Sequence, residues 1–155
     1  MSTYVNNLRL EEIGTGEATG TWGTKTNANL QLIGESLGYA TQNCFAANSN
    51  QSTTVADAPT SDPARALYFK VTSSATLDAT RELEILPNTN NRVQIIENAT
   101  TGGQSITIKQ GRGATVTIKN GQTKVCYLDG AGAGAAVVDV MADVSIPDLF
   151  IDDDV

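Results

Sequence analysis

From Thr41 onward, β-branched residues alternate with polar ones, and Gly, Asn, Asp or Pro interrupts them at intervals of about ten positions. A period of two places successive side chains on opposite faces of an extended strand, so this stretch cannot be satisfied by helices. The candidate strands are Thr41 to Ala47, Arg65 to Thr72, Arg81 to Leu86, Arg92 to Asn98, Gln104 to Lys109, Thr115 to Lys119, Thr123 to Leu128 and Ala136 to Ala142. Many short strands with frequent turns predict a mainly β chain, an antiparallel β-sandwich or barrel-like domain. Between the first two strands, Asn48 to Pro63 is rich in Ser, Asn, Asp and Pro and reads as a surface loop.

Two segments nearly repeat each other. Ser105-Ile-Thr-Ile-Lys109 and Thr115-Val-Thr-Ile-Lys119 flank Gln110-Gly-Arg-Gly113, and each alternates one buried face with one wet face. Asn120-Gly121 follows, a pair suited to a tight hairpin turn because both central positions of such a turn need positive φ. An antiparallel meander is therefore expected through residues 104 to 128.

Ahead of the β region, Met1 to Gly23 carries isolated apolar residues (Val5, Leu8, Leu10, Ile13) with neither period and reads as an extended arm. A helix is expected to start near Thr24 to Thr26, to carry Leu30, Ile33 and Leu37 at helical spacing, and to stop at Gly38. Trp22 would fold onto its first turn as a hydrophobic staple, with core packing favoured over ligand stacking. At the other end, Ile146, Leu149, Phe150 and Ile151 stand beside Asp148 and Asp152 to Asp154, with Pro147 blocking a helix. That segment reads either as a docking tail or as a terminus packed on its own domain. The organisation is thus an arm and helix over 1–40, a β-domain over 41–143 and an acidic, apolar tail over 144–155. Leu8, Leu10, Trp22, Ile146, Leu149, Phe150 and Ile151 are the candidate assembly contacts.

The net charge of −7 opposes phosphate neutralisation and argues against nucleic acid as a partner. Apolar runs are shorter than the roughly 18 to 20 residues of a membrane span, and Met1 to Leu10 lacks the pattern of a secretion signal, so a soluble protein made in the cytosol is expected. Cys44 and Cys126 then read as buried free thiols. The chain has no histidine, which removes the most used general base and metal ligand. In Asp129-Gly-Ala-Gly-Ala-Gly-Ala135 the spacing departs from a dinucleotide loop and a strand follows, so it reads as a turn between neighbouring strands. Glu82 with Glu84, and Glu11 with Glu12, are carboxylate pairs of the type a glycosidase uses, but at 5% aromatic the chain is poor in sugar-stacking rings. The terminal aspartates lack the ligand spacing and central glycine of a calcium loop. No catalytic residue, cofactor or metal is therefore expected.

Thr21-Trp-Gly-Thr-Lys-Thr-Asn-Ala-Asn-Leu30, followed by Ile33 and Gly34, resembles a segment near the start of tail-fibre and related virion proteins of tailed phages, especially those of marine and cyanobacterial hosts. Asp62-Pro-Ala-Arg-Ala-Leu-Tyr-Phe69, Leu86-Pro-Asn88, Ile95 to Ile108 and Tyr127-Leu-Asp-Gly-Ala-Gly-Ala-Gly134 are similar to the β-domain that follows in those proteins. The resemblance spans most of residues 1 to 140. It implies a homotrimeric, non-catalytic virion component whose N-terminal region attaches to the particle, although no shaft or receptor-binding tip follows the β-domain. The expectation is a virion structural protein, made in the host cytoplasm and assembling through its termini with itself and other virion proteins. It would be a short tail-fibre or fibre-adaptor piece, or a capsid decoration protein. The alternative is a carbohydrate- or receptor-binding β-module that meets a host surface glycan. A polysaccharide-cleaving enzyme using Glu82 and Glu84 is the third.

Overall fold

A computed structural model describes residues 1–144, so the expected contacts Ile146, Leu149, Phe150 and Ile151 lie outside the described residues. Helix α1 spans Trp22–Ser36, and nine strands follow it: β1 Tyr39–Phe45, β2 Gln51–Thr54, β3 Tyr68–Thr76, β4 Arg81–Leu86, β5 Arg92–Thr101, β6 Ile106–Lys109, β7 Val116–Ile118, β8 Thr123–Leu128 and β9 Val137–Asp139. The chain is mainly β, with one helix near its N-terminus, and its strands form two mixed sheets, of order β1-β3-β5-β8-β9 and β2-β4-β6-β7.

Through β6 the chain alternates between the sheets, leaving one strand in each. Neighbours laid down this way run parallel: Tyr39 pairs with Tyr68 and Tyr68 with Ile95 in one sheet, while Gln51 pairs with Leu83 and Leu83 with Ile108 in the other. Antiparallel pairing begins only at β7 on β6, β8 on β5 and β9 on β8. The expectation of a wholly antiparallel sandwich or barrel is thus corrected. Alternating burial is common to both directions, and the crossover that parallel strands require is supplied here by a strand of the opposite sheet.

Three local expectations change for related reasons. β2 lies inside the segment read as a loop, and its polar Gln-Ser-Thr-Thr sequence suits an edge strand that buries only Thr53. The 104–128 meander is split, because β6 and β7 pair with each other while β8 joins the other sheet. Asn120-Gly121 makes that crossing: only Gly121 has positive φ, and Gln122 N–H donates to Lys119 O at 3.0 Å, the pattern of a type II rather than a hairpin turn.

One core lies between the sheets, built from Phe45, Phe69, Val71, Ile96, Cys126 and Leu128 on one side and Leu83, Ile85, Ile106, Ile108, Val116 and Ile118 on the other. Cys44 and Cys126 are buried and free, as read from the sequence, and burial pushes each thiol up to about 12. The Gly-Ala tract joins the neighbouring strands β8 and β9 and packs tightly on the loop after β6. A Cβ on Gly111 would meet Gly132 O at 2.8 Å, and one on Gly113 would meet Gly134 O at 2.6 Å, so glycine is required at both positions.

The N-terminal segment is folded back on the domain, with Thr3 bridging to Glu12. Arg65, fully buried, holds it there. Its guanidinium donates to Leu8 O at 2.9 Å, to Thr60 O at 3.0 Å and to Ala56 O, and pairs with Glu35 of α1 at 3.5 Å. Outside it, Arg9 pairs with Asp57 at 2.7 Å and Ala58 N–H donates to Arg9 O at 2.9 Å. Removing a buried charged donor leaves its acceptors unpaired, so Arg65→Met should lower the unfolding free energy by about 3 kcal/mol and expose residues 1–21 to protease. Arg65→Lys, with one ammonium in place of a fork, should recover less than half of the loss. Urea unfolding and limited proteolysis measure both.

Candidate assembly surface

Two sides of α1 differ in chemistry, and the polar side faces its own domain. Lys25 pairs with Glu11, Asn29 exchanges bonds with Glu11 N–H and O at 3.0 and 2.8 Å, and Glu35 reaches Arg65. Leu32, 1% exposed, and Ser36 complete that side. The other side carries Trp22 (66% exposed), Leu30 (60%), Ile33 and Leu37 (72%). A helix on a domain surface normally turns its apolar stripe inward. Trp22 is accordingly neither core nor staple, in contrast to the sequence expectation, and the helix begins at it without a side-chain cap.

The outward stripe leads to the outer face of the five-stranded sheet. Tyr39, 62% exposed, lies against Tyr68 with ring centroids 5.5 Å apart. The register continues from Tyr68 to Ile95 and Val125, and in the adjoining row Val93 lies opposite Tyr127 and Tyr127 opposite Val138. Val93, Tyr127 and Val138 are each close to half exposed. In β5 this outward polarity is matched by an inward one. Gln94, Asn98 and Thr100 point inward beside Ile96: the Gln94 amide nitrogen donates to Ala64 O and Ala66 O while its Oε1 has no partner, and Asn98 donates to Gln104 O and Ile118 O while accepting from Thr100.

Charged groups border the band. Lys70 pairs with Glu97 at 3.0 Å on this outer face, whereas Lys124 pairs with Asp139 at 2.9 Å on the opposite side of β8 and β9, the side of buried Cys126 and Val137. The hydrogen bond from the Tyr68 hydroxyl, with Lys70 beside it, holds Glu97 below its ordinary value, and Lys124 does the same for Asp139. The other sheet has a polar exterior, where Ser52, Glu84 and Lys109 form one row and Glu82, Thr107 and Thr117 the next. Lys109 lies 3.7 Å from Glu82, and with Asn50, Gln51, Ser52 and Glu84 they line a shallow cleft of about 310 Å³. The Glu82 and Glu84 pair therefore sits on an open sheet surface. A smaller cleft of about 230 Å³ lies between the end of α1 and the turn at Pro63–Arg65.

Of the assembly residues read from the sequence, Trp22 joins the exposed stripe, whereas Leu8 and Leu10 are half-buried against their own domain. Tyr39, Val93, Tyr127 and Val138 had not been singled out. Their signal was the apolar alternation of their strands, which does not by itself tell the inner face from the outer. Among the described residues no helix is long and apolar enough to cross a membrane, and no group of three or more His, Cys, Asp or Glu could hold a metal ion. Comparison with protein-family models, with curated proteins and with solved structures gives no match.

Glu97 and Asp139 have ordinary values of 4.5 and 3.8 and are lowered in the fold, so they stabilise it above those values and cease to as pH falls through the lowered ones. The urea midpoint should therefore be level from neutrality to about pH 5 and fall below about pH 4. Glu97→Gln should make that fall shallower, as read by unfolding curves across the range.

Proposed function

We propose that the chain is a non-enzymatic virion structural protein, a short tail-fibre or fibre-adaptor component or a capsid decoration protein, that works as a homo-oligomer, read as a trimer. The observation that carries the assembly half of this reading is the outward apolar stripe of α1 together with the apolar residues on the outer face of the five-stranded sheet. The helix is fixed to its domain by polar partners while Trp22, Leu30 and Leu37 are exposed, and Val93, Tyr127 and Val138 are close to half exposed, an arrangement that favours a subunit over a free monomer. The phage half rests on the resemblance carried by Thr21 to Gly34 and by the β-domain motifs. Cryo-electron microscopy of the intact particle tests the whole. Clusters of this chain at a tail or capsid surface, touching through the α1 and β5 faces, are expected, and absence of the chain from the particle would overturn the reading.

A second reading, a carbohydrate- or receptor-binding module, draws on the polar sheet, where amide, hydroxyl, carboxylate and ammonium groups line one cleft and match sugar hydroxyls in hydrogen-bonding character. It requires glycan-array binding that Asn50→Ala with Lys109→Ala reduces about tenfold, a loss of roughly 1.4 kcal/mol. No binding at millimolar sugar would remove it.

A further inference from the structure

We infer that the outward stripe of α1 is a parallel helix-to-helix contact between copies of this chain, and that the helix gathers more than two copies about one axis. The inference rests on the self-assembly reading above and names the element at its centre. Thr26, Leu30, Ile33 and Leu37 are spaced four, three and four residues apart, the seam of a heptad repeat, and all are exposed. On the domain side, Lys25, Asn29, Leu32 and Ser36 keep the same spacing and are already occupied. The helix thus carries two seams, one spent on its own domain and one free of it.

Charge explains why a second copy fits the free seam. Copies of a chain with net charge −7 repel one another, so a homomeric contact needs a neutral zone. The residues flanking the seam are Trp22, Asn27, Asn29, Gly34 and Ser36, none of them charged, and the nearest charges, Lys25 and Glu35, are engaged with Glu11 and Arg65. Identical helices can therefore lie side by side without facing like charges. Residue choice sets the number of copies: Leu30 and Leu37 hold two a positions, after Gly23 at the first, while β-branched Thr26 and Ile33 hold d, and leucine at a with a β-branched residue at d disfavours a two-stranded coil and favours three or four.

Area agrees with a contact that does not end at the helix. Trp22, Leu30, Ile33, Leu37 and Tyr39 offer on the order of 100 Å² each, or roughly 500 Å², against about 800 Å² per partner in a standard interface. The adjoining band of Tyr68, Val93, Tyr127 and Val138 extends the surface beyond that shortfall.

Sedimentation velocity of the full chain, from micromolar to submillimolar concentration, is the first test. Three or four copies are expected, and Leu30→Asp with Leu37→Asp should weaken assembly at least about tenfold while leaving the urea midpoint unchanged at concentrations too low for assembly, since both side chains face solvent in the single chain. Leu30→Cys and Leu37→Cys, taken singly, should each form an inter-copy disulfide, which only parallel alignment allows for both positions; the native thiols are buried and silent. A monomer at every concentration would overturn both this inference and the self-assembly reading. An oligomer that survives the helix variant but dissociates with Tyr127→Asp and Val138→Asp would overturn the helix contact alone. A dimer would overturn the copy number. Monomeric wild-type chain whose entry into particles is nonetheless blocked by the helix variant would assign the seam to a different virion protein and overturn the contact between copies.

Discussion

The buried guanidinium of Arg65 sets the arrangement on which everything outside the core depends. A fully buried arginine has to place its N–H groups on acceptors, and these acceptors come from three separate parts of the chain: Leu8 from the N-terminal segment, Ala56 and Thr60 from the connection after β2, and Glu35 from α1. Its own backbone is held from the other side, where Arg92 donates to Arg65 O and Gln94 to the carbonyls of Ala64 and Ala66. Because α1 is fastened through Glu35 at one end and through Lys25 and Asn29 at the other, the face it turns inward is fixed by polar partners. Its apolar face is left pointing out as a consequence.

Sequence periodicity located the strands well and their pairing poorly. Arg81–Leu86 and Thr123–Leu128 are found with the boundaries expected of them, since both alternate cleanly between turn residues. Their partners were not legible because a strand buries alternate side chains whether its neighbour runs parallel or antiparallel. What distinguishes the two directions is the length of chain between paired residues, and here that length contains β2, a polar edge strand hidden by its own composition. The Asn-Gly signal failed for a similar reason: a turn with positive φ at a single residue serves a crossing between sheets as readily as a hairpin.

Orientation was the harder question at the candidate surface. The helical spacing of Leu30, Ile33 and Leu37 was plain, yet spacing states only that these residues share a face. The structure places that face outside because the competing face offers hydrogen bonds and ion pairs to Glu11 and Arg65. In β5 the same competition is won by Gln94 and Asn98, whose amides reach the backbone carbonyls of Ala64, Ala66, Gln104 and Ile118, Ala66 O being shared with Arg92. An apolar residue in either position would remove those donors, and each buried carbonyl left without one costs about 1 to 3 kcal/mol. Polar residues therefore occupy the interior where the backbone needs them, and Val93 and Ile95 take the outer positions by the strict alternation of the strand.

An exterior of this kind is a hazard as well as a device, since apolar sheet and helix faces invite indiscriminate contact. The charge distribution restrains it. Screened repulsion between chains of net charge −7 acts over about 8 Å at physiological ionic strength and disfavours approach in arbitrary orientations. Alignment through the apolar band, where Lys70 and Glu97 already cancel on the same face, brings apolar groups within contact distance without opposing unpaired charges. Under the self-assembly proposal, the acidic composition that argued against a nucleic-acid partner at the outset also disfavours contact between copies outside that band.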